Sequence, residues 1–111
     1  KILVRDRIEV EPMCVRVPVM VGHGIASTMF FDRTVEVEEA NEVLSDAPGV
    51  QVWGDDNVPT PLDSAGIDDV LVGRLRATIG QAGGISLFAI GDNLRKGAAL
   101  NAVELAERLL N

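Results

Sequence analysis

The chain holds a single cysteine and a single histidine in 111 residues. One cysteine excludes an internal disulfide, which fits a reducing compartment and an expected cytoplasmic location. Positive charge is also short. Ten Lys and Arg against seventeen Asp and Glu leave a net charge of −7, with no basic cluster. That excludes the electrostatic footprint of a nucleic-acid binder and attraction to an anionic membrane surface. No apolar run approaches the roughly 18 residues that a membrane-spanning helix needs. There is no low-complexity tract and no charged-then-apolar leader, and the chain begins on Lys1 rather than methionine, so a truncated or cleaved product is expected. A glycine-rich phosphate loop is missing. Gly80-Gln81-Ala82-Gly83-Gly84 lacks the G-x-G-x-x-G order and precedes a strand-like run instead of a helix. Gly54-Asp55-Asp56-Asn57 has acidic oxygens without the ligand pattern of a calcium loop, and no catalytic triad, metal cluster or carboxylate pair stands out.

What is present, at 47% hydrophobic residues, suffices for one domain or part of one. Residues 1–12 are charged and mixed and read as a loop with a short helical turn, ended by Pro12. Met13 to Val21 is rich in β-branched residues and predicts a strand, with Pro18 demanding an edge or a bulge. Residues 25–35 predict a second strand, antiparallel to the first across a glycine turn at Gly22 and Gly24. Val37 to Leu44 predicts a helix with Val37, Ala40, Val43 and Leu44 as its apolar stripe, stopped by Pro48-Gly49. Its glutamates read as a solvated face. Val50 to Trp53 predicts a short strand, and Pro59 to Gly66 a stiff connection. Asp69 to Ile79 predicts a strand with Arg74 and Arg76 on one face, read as solvated or paired cations with some allowance for a subunit contact. Ile85 to Ile90 is short and mostly apolar and predicts a central strand. Asp92 is suited to cap the helix predicted over 93–110, whose stripe is Leu94, Ala98, Ala102, Leu105 and Leu109. The small residues Gly97, Ala98, Ala99, Ala102 and Ala106 permit close approach of another backbone. The fold class that follows is α/β of the α+β type, a mixed and largely antiparallel sheet covered by helices.

Two residues invite a chemical reading. Arg16 lies inside an apolar run, an expensive place for a cation unless something anionic meets it. His23 follows that run. The two are an odd seven positions apart, so strict alternation sends them to opposite faces, and a straight strand would separate them by roughly 23 Å. A shared site therefore requires the chain to bend between them, and Gly22 and Gly24 supply the means. On spacing alone the chain is a soluble α/β module.

The segment Met13-Cys14-Val15-Arg16-Val17-Pro18-Val19-Met20-Val21-Gly22-His23-Gly24 resembles the Cys-Val-Arg-Val-Pro-Val-x-x-Gly-His segment of aspartate-semialdehyde dehydrogenases. Gly91-Asp92-Asn93-Leu94-Arg95-Lys96-Gly97-Ala98-Ala99 resembles that family's Gly-Asp-Asn-Leu-Arg-Lys-Gly-Ala-Ala segment. Pro59-Thr60-Pro61-Leu62 and Val72-Gly73-Arg74-Leu75-Arg76 fit between them. The likeness spans essentially the whole chain but only the C-terminal third of such an enzyme. It implies NADP(H)-dependent reductive dephosphorylation of aspartyl phosphate to the semialdehyde through a cysteine thioester, on the route to lysine, threonine and methionine. By position it implies His23 as acid/base, Arg16 as the carboxylate-binding residue and Asn93 at the nicotinamide end of the cofactor, with no metal. Cys14 matches a non-catalytic cysteine. The nucleophile, the glycine-rich loop and a phosphate-binding Glu/Lys pair belong upstream, so the 111 residues alone are expected to be inactive. The same likeness implies that residues 1–91 are part of a substrate and dimerisation domain, that 92–111 return to a dinucleotide-binding domain of the same enzyme, and that the protein self-associates. One departure is Gly24, where the family commonly has serine. Two other readings stay open: a non-catalytic oligomerisation module with the same fold, and a reductase for a related acyl phosphate such as N-acetylglutamyl phosphate.

Overall fold

In a computed structural model, residues 8–54, 56–80 and 83–110 are described. The predicted loop or helical turn over residues 1–7 lies outside the described residues, as do positions 55, 81 and 82 of two predicted turns and the terminal position 111.

The apolar run late in the chain becomes the middle of the sheet. β4 (Ile85–Gly91) pairs antiparallel with β1 (His23–Met29) on one side and with β3 (Val70–Ala77) on the other. β2 (Val50–Val52) pairs parallel with β3 and closes the order β1-β4-β3-β2. The sheet is thus mixed, with two antiparallel pairings and one parallel. Cross-strand partners point to the same face. The register sets Ile25, Ala89 and Val72 on one face and Gly24, Ile90 and Leu71 on the other. Leu71 and Val72 are neighbours that point opposite ways, and both are buried, so the centre of the sheet is covered on both sides. Ile85 and Ile90 complete the buried hydrophobic set among the described residues. Each such side chain contributes roughly 1.5–3 kcal/mol by leaving water.

α1 (Val37–Ser45) carries Glu38 and Glu39 in its first turn, where carboxylates favour the positive end of the helix. Arg33 reaches forward and binds both oxygens of Glu39. Val37, Ala40 and Leu44 are half-buried, but Val43 is exposed, which narrows the predicted stripe. Gly49 adopts φ +74 and turns the chain into β2. The connection to β3 contains a short helix that the sequence reading treats as a loop, α2 (Pro61–Ser64). Pro61 opens it, and the Asp63 carboxylate accepts the Thr60 N–H and the Thr60 hydroxyl, so the local chemistry of a helix start is complete.

Three predicted elements differ from the structure. Residues 13–21 form no strand; 13–20 run exposed, Val21 is half-buried, and the predicted pairing with the following strand does not occur. The β preference of this run is intact, but a strand needs a ladder, and both edges of β4 are occupied by β1 and β3. The strand predicted over 25–35 is shorter and earlier, and β4 is its partner. The helix predicted from residue 93 begins only at residue 100, as α3 (Leu100–Leu110). Before it, Arg95–Ala99 makes an irregular turn in which Lys96 is extended (ψ 120) and Gly97 takes φ +96. Gly97 is therefore the break point of that segment, since this backbone region suits glycine. In β3 a bulge sets Arg74 and Leu75 opposite the single residue Leu87, and Arg74 takes φ 57. The alternation that would place Arg74 and Arg76 on one face is broken there.

Candidate functional site

The two ends of the chain that carry the most distinctive residues meet at one end of β1 and β4. His23 is the first residue of β1 and stands opposite Gly91, the last of β4. Asp92 and Asn93 follow at once. The Gly22 N–H donates to the Asn93 Oδ1 at 2.9 Å, bridging 71 positions of sequence. Only the oxygen of a carboxamide can accept that proton, so the bond also orients the amide and leaves Nδ2 free to donate elsewhere.

Gly22 is buried and takes φ +104. A β-carbon there would stand 3.1 Å from Ser64 Oγ and 3.2 Å from Pro61 Cβ, so the turn lies directly on α2. The chain changes direction at Gly22 and enters the sheet at His23, which supplies the bend that a site shared by Arg16 and His23 requires. His23 is exposed, with no hydrogen bond from its ring to another described residue.

Asp92 is the buried carboxylate of this region, at 4% exposure. Its Oδ2 accepts the Gly66 N–H and its Oδ1 the Leu94 N–H, each at 2.8 Å. These backbone donors, Gly66 first and Leu94 second, hold its carboxyl below the usual range. One side chain thereby ties the end of β4 to the segment after α2 and starts the turn that presents Asn93. The sequence marks Asp92 only as a cap; the bond to Gly66 spans 26 positions, and no local pattern announces it.

Arg16 is not drawn into this cluster by any hydrogen bond or ion pair among the described residues. It lies in the exposed stretch with Cys14, which is a free, exposed thiol. Arg95 pairs with Asp68, and Lys96 donates to both Glu104 oxygens at 2.7 Å, so the two cations after Asn93 are engaged within the chain. An open cleft of about 490 Å³ is lined by Pro48, Gly49, Lys96, Glu104, Glu107 and Arg108. It includes none of His23, Arg16 and Asn93, and its opposite charges balance. Among the described residues no three of His, Cys, Asp and Glu converge as metal ligands.

A four-stranded mixed sheet with helices, gathering a histidine and an asparagine from distant segments at one strand end, defines an α/β domain. The chain belongs to the family described as semialdehyde dehydrogenase, dimerisation domain, whose model matches residues 1–96. It is 47% identical to an aspartate-semialdehyde dehydrogenase of Corynebacterium melassecola over 99% of its own length and 32% of that protein's. It is 49% identical to that of Mycolicibacterium smegmatis, covering 98% of this chain and 31% of the relative. Among solved structures, aspartate semialdehyde dehydrogenase II of Vibrio cholerae, complexed with ASA, superposes with a TM-score of 0.85 at 41% identity, covering 89% of this chain and 30% of that one. The chain thus spans about a third of the length of the relatives it matches.

Proposed function

We propose that this chain is the C-terminal part of an aspartate-semialdehyde dehydrogenase, an enzyme that reduces L-aspartyl 4-phosphate to L-aspartate 4-semialdehyde with release of phosphate. The observation that carries the reading is the joining of the two motif segments at one strand end, where the Gly22 N–H meets Asn93 Oδ1 and His23 stands opposite Gly91. The identity of nearly half to dehydrogenases over the whole chain supports it.

In this reading His23 is the acid/base. Its exposed imidazole takes a proton from a cysteine thiol supplied upstream; as imidazolium it protonates the thiohemiacetal oxygen when that oxyanion forms, and as imidazole it takes the proton back as the C–S bond breaks to give aldehyde and thiolate. Arg16 holds the substrate's free carboxylate through two parallel hydrogen bonds, fixing its orientation as well as its charge. The residues present fit one end of NADP(H) only. Asn93 Nδ2, left over from the Gly22 bond, can donate to a carboxamide, and no phosphate loop lies in this chain. When bound, that cofactor supplies the hydride. The nucleophile and the rest of the cofactor site then belong to the upstream portion, and the 111 residues by themselves turn over nothing.

The same reading accounts for the exposed apolar surface. Met13, Val15 and Met20 on the unladdered stretch, and Leu105, Leu109 and Leu110 on α3, are more than half exposed. Surfaces of that kind are contact surfaces. The α3 face is assigned to the dinucleotide-binding portion of the same enzyme, and the domain as a whole to self-association. The test is reduction of NADP with aspartate semialdehyde and phosphate by the full-length protein, beside its His23→Ala variant. Turnover that collapses in the variant supports the assignment. No turnover from a chain that includes the upstream half moves it to a non-catalytic oligomerisation module, and turnover with N-acetylglutamate semialdehyde in place of the aspartate compound moves it to the related reductase.

A further inference from the structure

We propose that Asn93 is a positioning residue for His23, acting through the Gly22 N–H; this rests on the assignment of His23 as the acid/base. An exposed imidazole with no hydrogen bond to a described residue has its place set by the backbone from which it projects. That backbone is held from three sides. The ladder fixes His23 against Gly91. α2 supports Gly22 from below, through Pro61 and Ser64. Asn93 Oδ1 takes the Gly22 N–H at 2.9 Å. The third hold sits where the chain must stay in a glycine-only conformation, φ +104, one residue before the histidine. The Gly22 N–H is also a donor in a buried place, so removing its acceptor leaves it unpaired unless the turn opens toward water. Opening the turn moves the imidazole.

Asn93 is itself fixed by its neighbour. Asp92 clamps Gly66 and Leu94 on either side of it, so the carboxamide is presented from a rigid turn. The chain has therefore linked the acid/base to the start of its C-terminal segment through one oxygen, while the amide nitrogen of the same side chain faces away from that bond. The two atoms carry separable tasks: the oxygen sets the histidine, and the nitrogen remains for a ligand.

The experiment compares Asn93→Ala, Asn93→Asp and His23→Ala in the full-length protein, measuring kcat and KM for NADP, and amide exchange at Gly22 and His23. Aspartate keeps an acceptor in place and removes the amide donor. The expected result is a loss of kcat on the order of 100-fold for alanine, the scale of a misplacement of about 1 Å, with most of that kcat restored by aspartate while the KM for NADP stays raised in both variants, because both lack the amide donor. Exchange at Gly22 quickens in the alanine variant and not in the aspartate one. Equal loss of kcat in the two Asn93 variants, or slow exchange at Gly22 in the alanine variant, overturns the proposal. If His23→Ala keeps full activity, the assignment beneath it fails instead. If His23→Ala is inactive while Asn93→Ala keeps wild-type kcat, only this inference fails.

Discussion

The ring of Phe88 lies on the bare backbone of Gly24: a β-carbon at position 24 would stand 2.6 Å from Cζ and 3.0 Å from Cε2. Gly24 pairs with Ile90 and Ala26 with Phe88, so the ring reaches Gly24 diagonally across the ladder. An aromatic side chain here fills the space that a glycine leaves on an outer strand. A serine at position 24 would require this ring to move. Gly24→Ser is expected to destabilise the protein by about 1–3 kcal/mol, the range for overpacking. The contact is with the far end of a side chain that can swing, so the lower part of that range applies. Adding Phe88→Leu should recover part of the loss, with a coupling of about 1 kcal/mol. Urea titrations of the two single variants and the double variant measure it, and strict additivity would remove Phe88 from the explanation.

Gly73 offers the contrasting case. A β-carbon there would come within 2.5 Å of Pro59 Cδ and 3.1 Å of its Cγ. Both residues are buried, and the proline ring is closed onto its own backbone, so it cannot rotate away. Gly73→Ala should therefore cost at least about 3 kcal/mol, the upper end of overpacking, and more than Gly24→Ser. The order of the two midpoints under identical denaturation conditions is the check. A reversed order would mean that the loop carrying Pro59 yields more easily than the Phe88 ring.

These close contacts mark where the sequence stops being legible. β4 announces itself because a short apolar run buried on both faces has few other solutions. α1 and β2 follow from periodicity and from Pro48-Gly49. The failures have identifiable causes. Residues 13–21 have strand composition, but composition does not state whether a neighbour exists, and none does among the described residues. α2 has its signal in Thr60-Pro61-Leu62-Asp63; Pro59 and Pro61 favour a loop, although the second of them sits where a helix accepts it. Gly97 has the opposite history. Within a run of small residues it reads as a close-packing position, and it is in fact the break before α3. Of the candidate site, the expectation for residues 16, 23 and 93 comes from resemblance. The bond from Gly22 to Asn93 and the bond from Asp92 to Gly66 are not legible, because each joins segments whose separation only the folded sheet removes.

Asp92 gives a pH dependence with a definite sign. Its folded carboxyl is held below the ordinary value by backbone N–H groups, first Gly66 and then Leu94. A depressed folded pKa contributes stability that is fully present above the unfolded value, about 3.9, and is lost as pH falls through the folded value. The protein should thus be insensitive to Asp92 titration near neutrality and lose stability from about pH 4 downward. Asp92→Asn removes that proton dependence and turns an amide N–H toward one of two backbone donors. The variant should be less stable than the wild type at pH 7, and the gap should narrow toward pH 3. Urea midpoints at the two pH values test it; a gap that stays constant would assign the acid sensitivity to other depressed carboxyls, such as Asp63 with its Thr60 bonds or Asp68 beside Arg95.

Arg16 separates binding from folding. It is exposed, it pairs with nothing among the described residues, and it precedes the bend at Gly22 that redirects the chain into β1. A guanidinium in that position contributes little to stability, so Arg16→Lys should leave the midpoint of unfolding within about 0.5 kcal/mol. Its proposed task demands more than charge. A carboxylate held by two parallel N–H groups loses one of them, and the planar match, when lysine replaces arginine. Charged hydrogen bonds of this kind are worth about 1.5–3 kcal/mol, which corresponds to a rise in KM for aspartate semialdehyde of roughly ten- to a hundredfold at about 1.4 kcal/mol per decade. The larger part of the loss should fall on KM, because the carboxylate is held in the ground state and the transition state alike. Steady-state assays of the full-length variant at saturating NADP and phosphate measure this split. An unchanged KM would release Arg16 from the substrate and return it to the reading that composition alone allows, a solvated cation on an acidic protein.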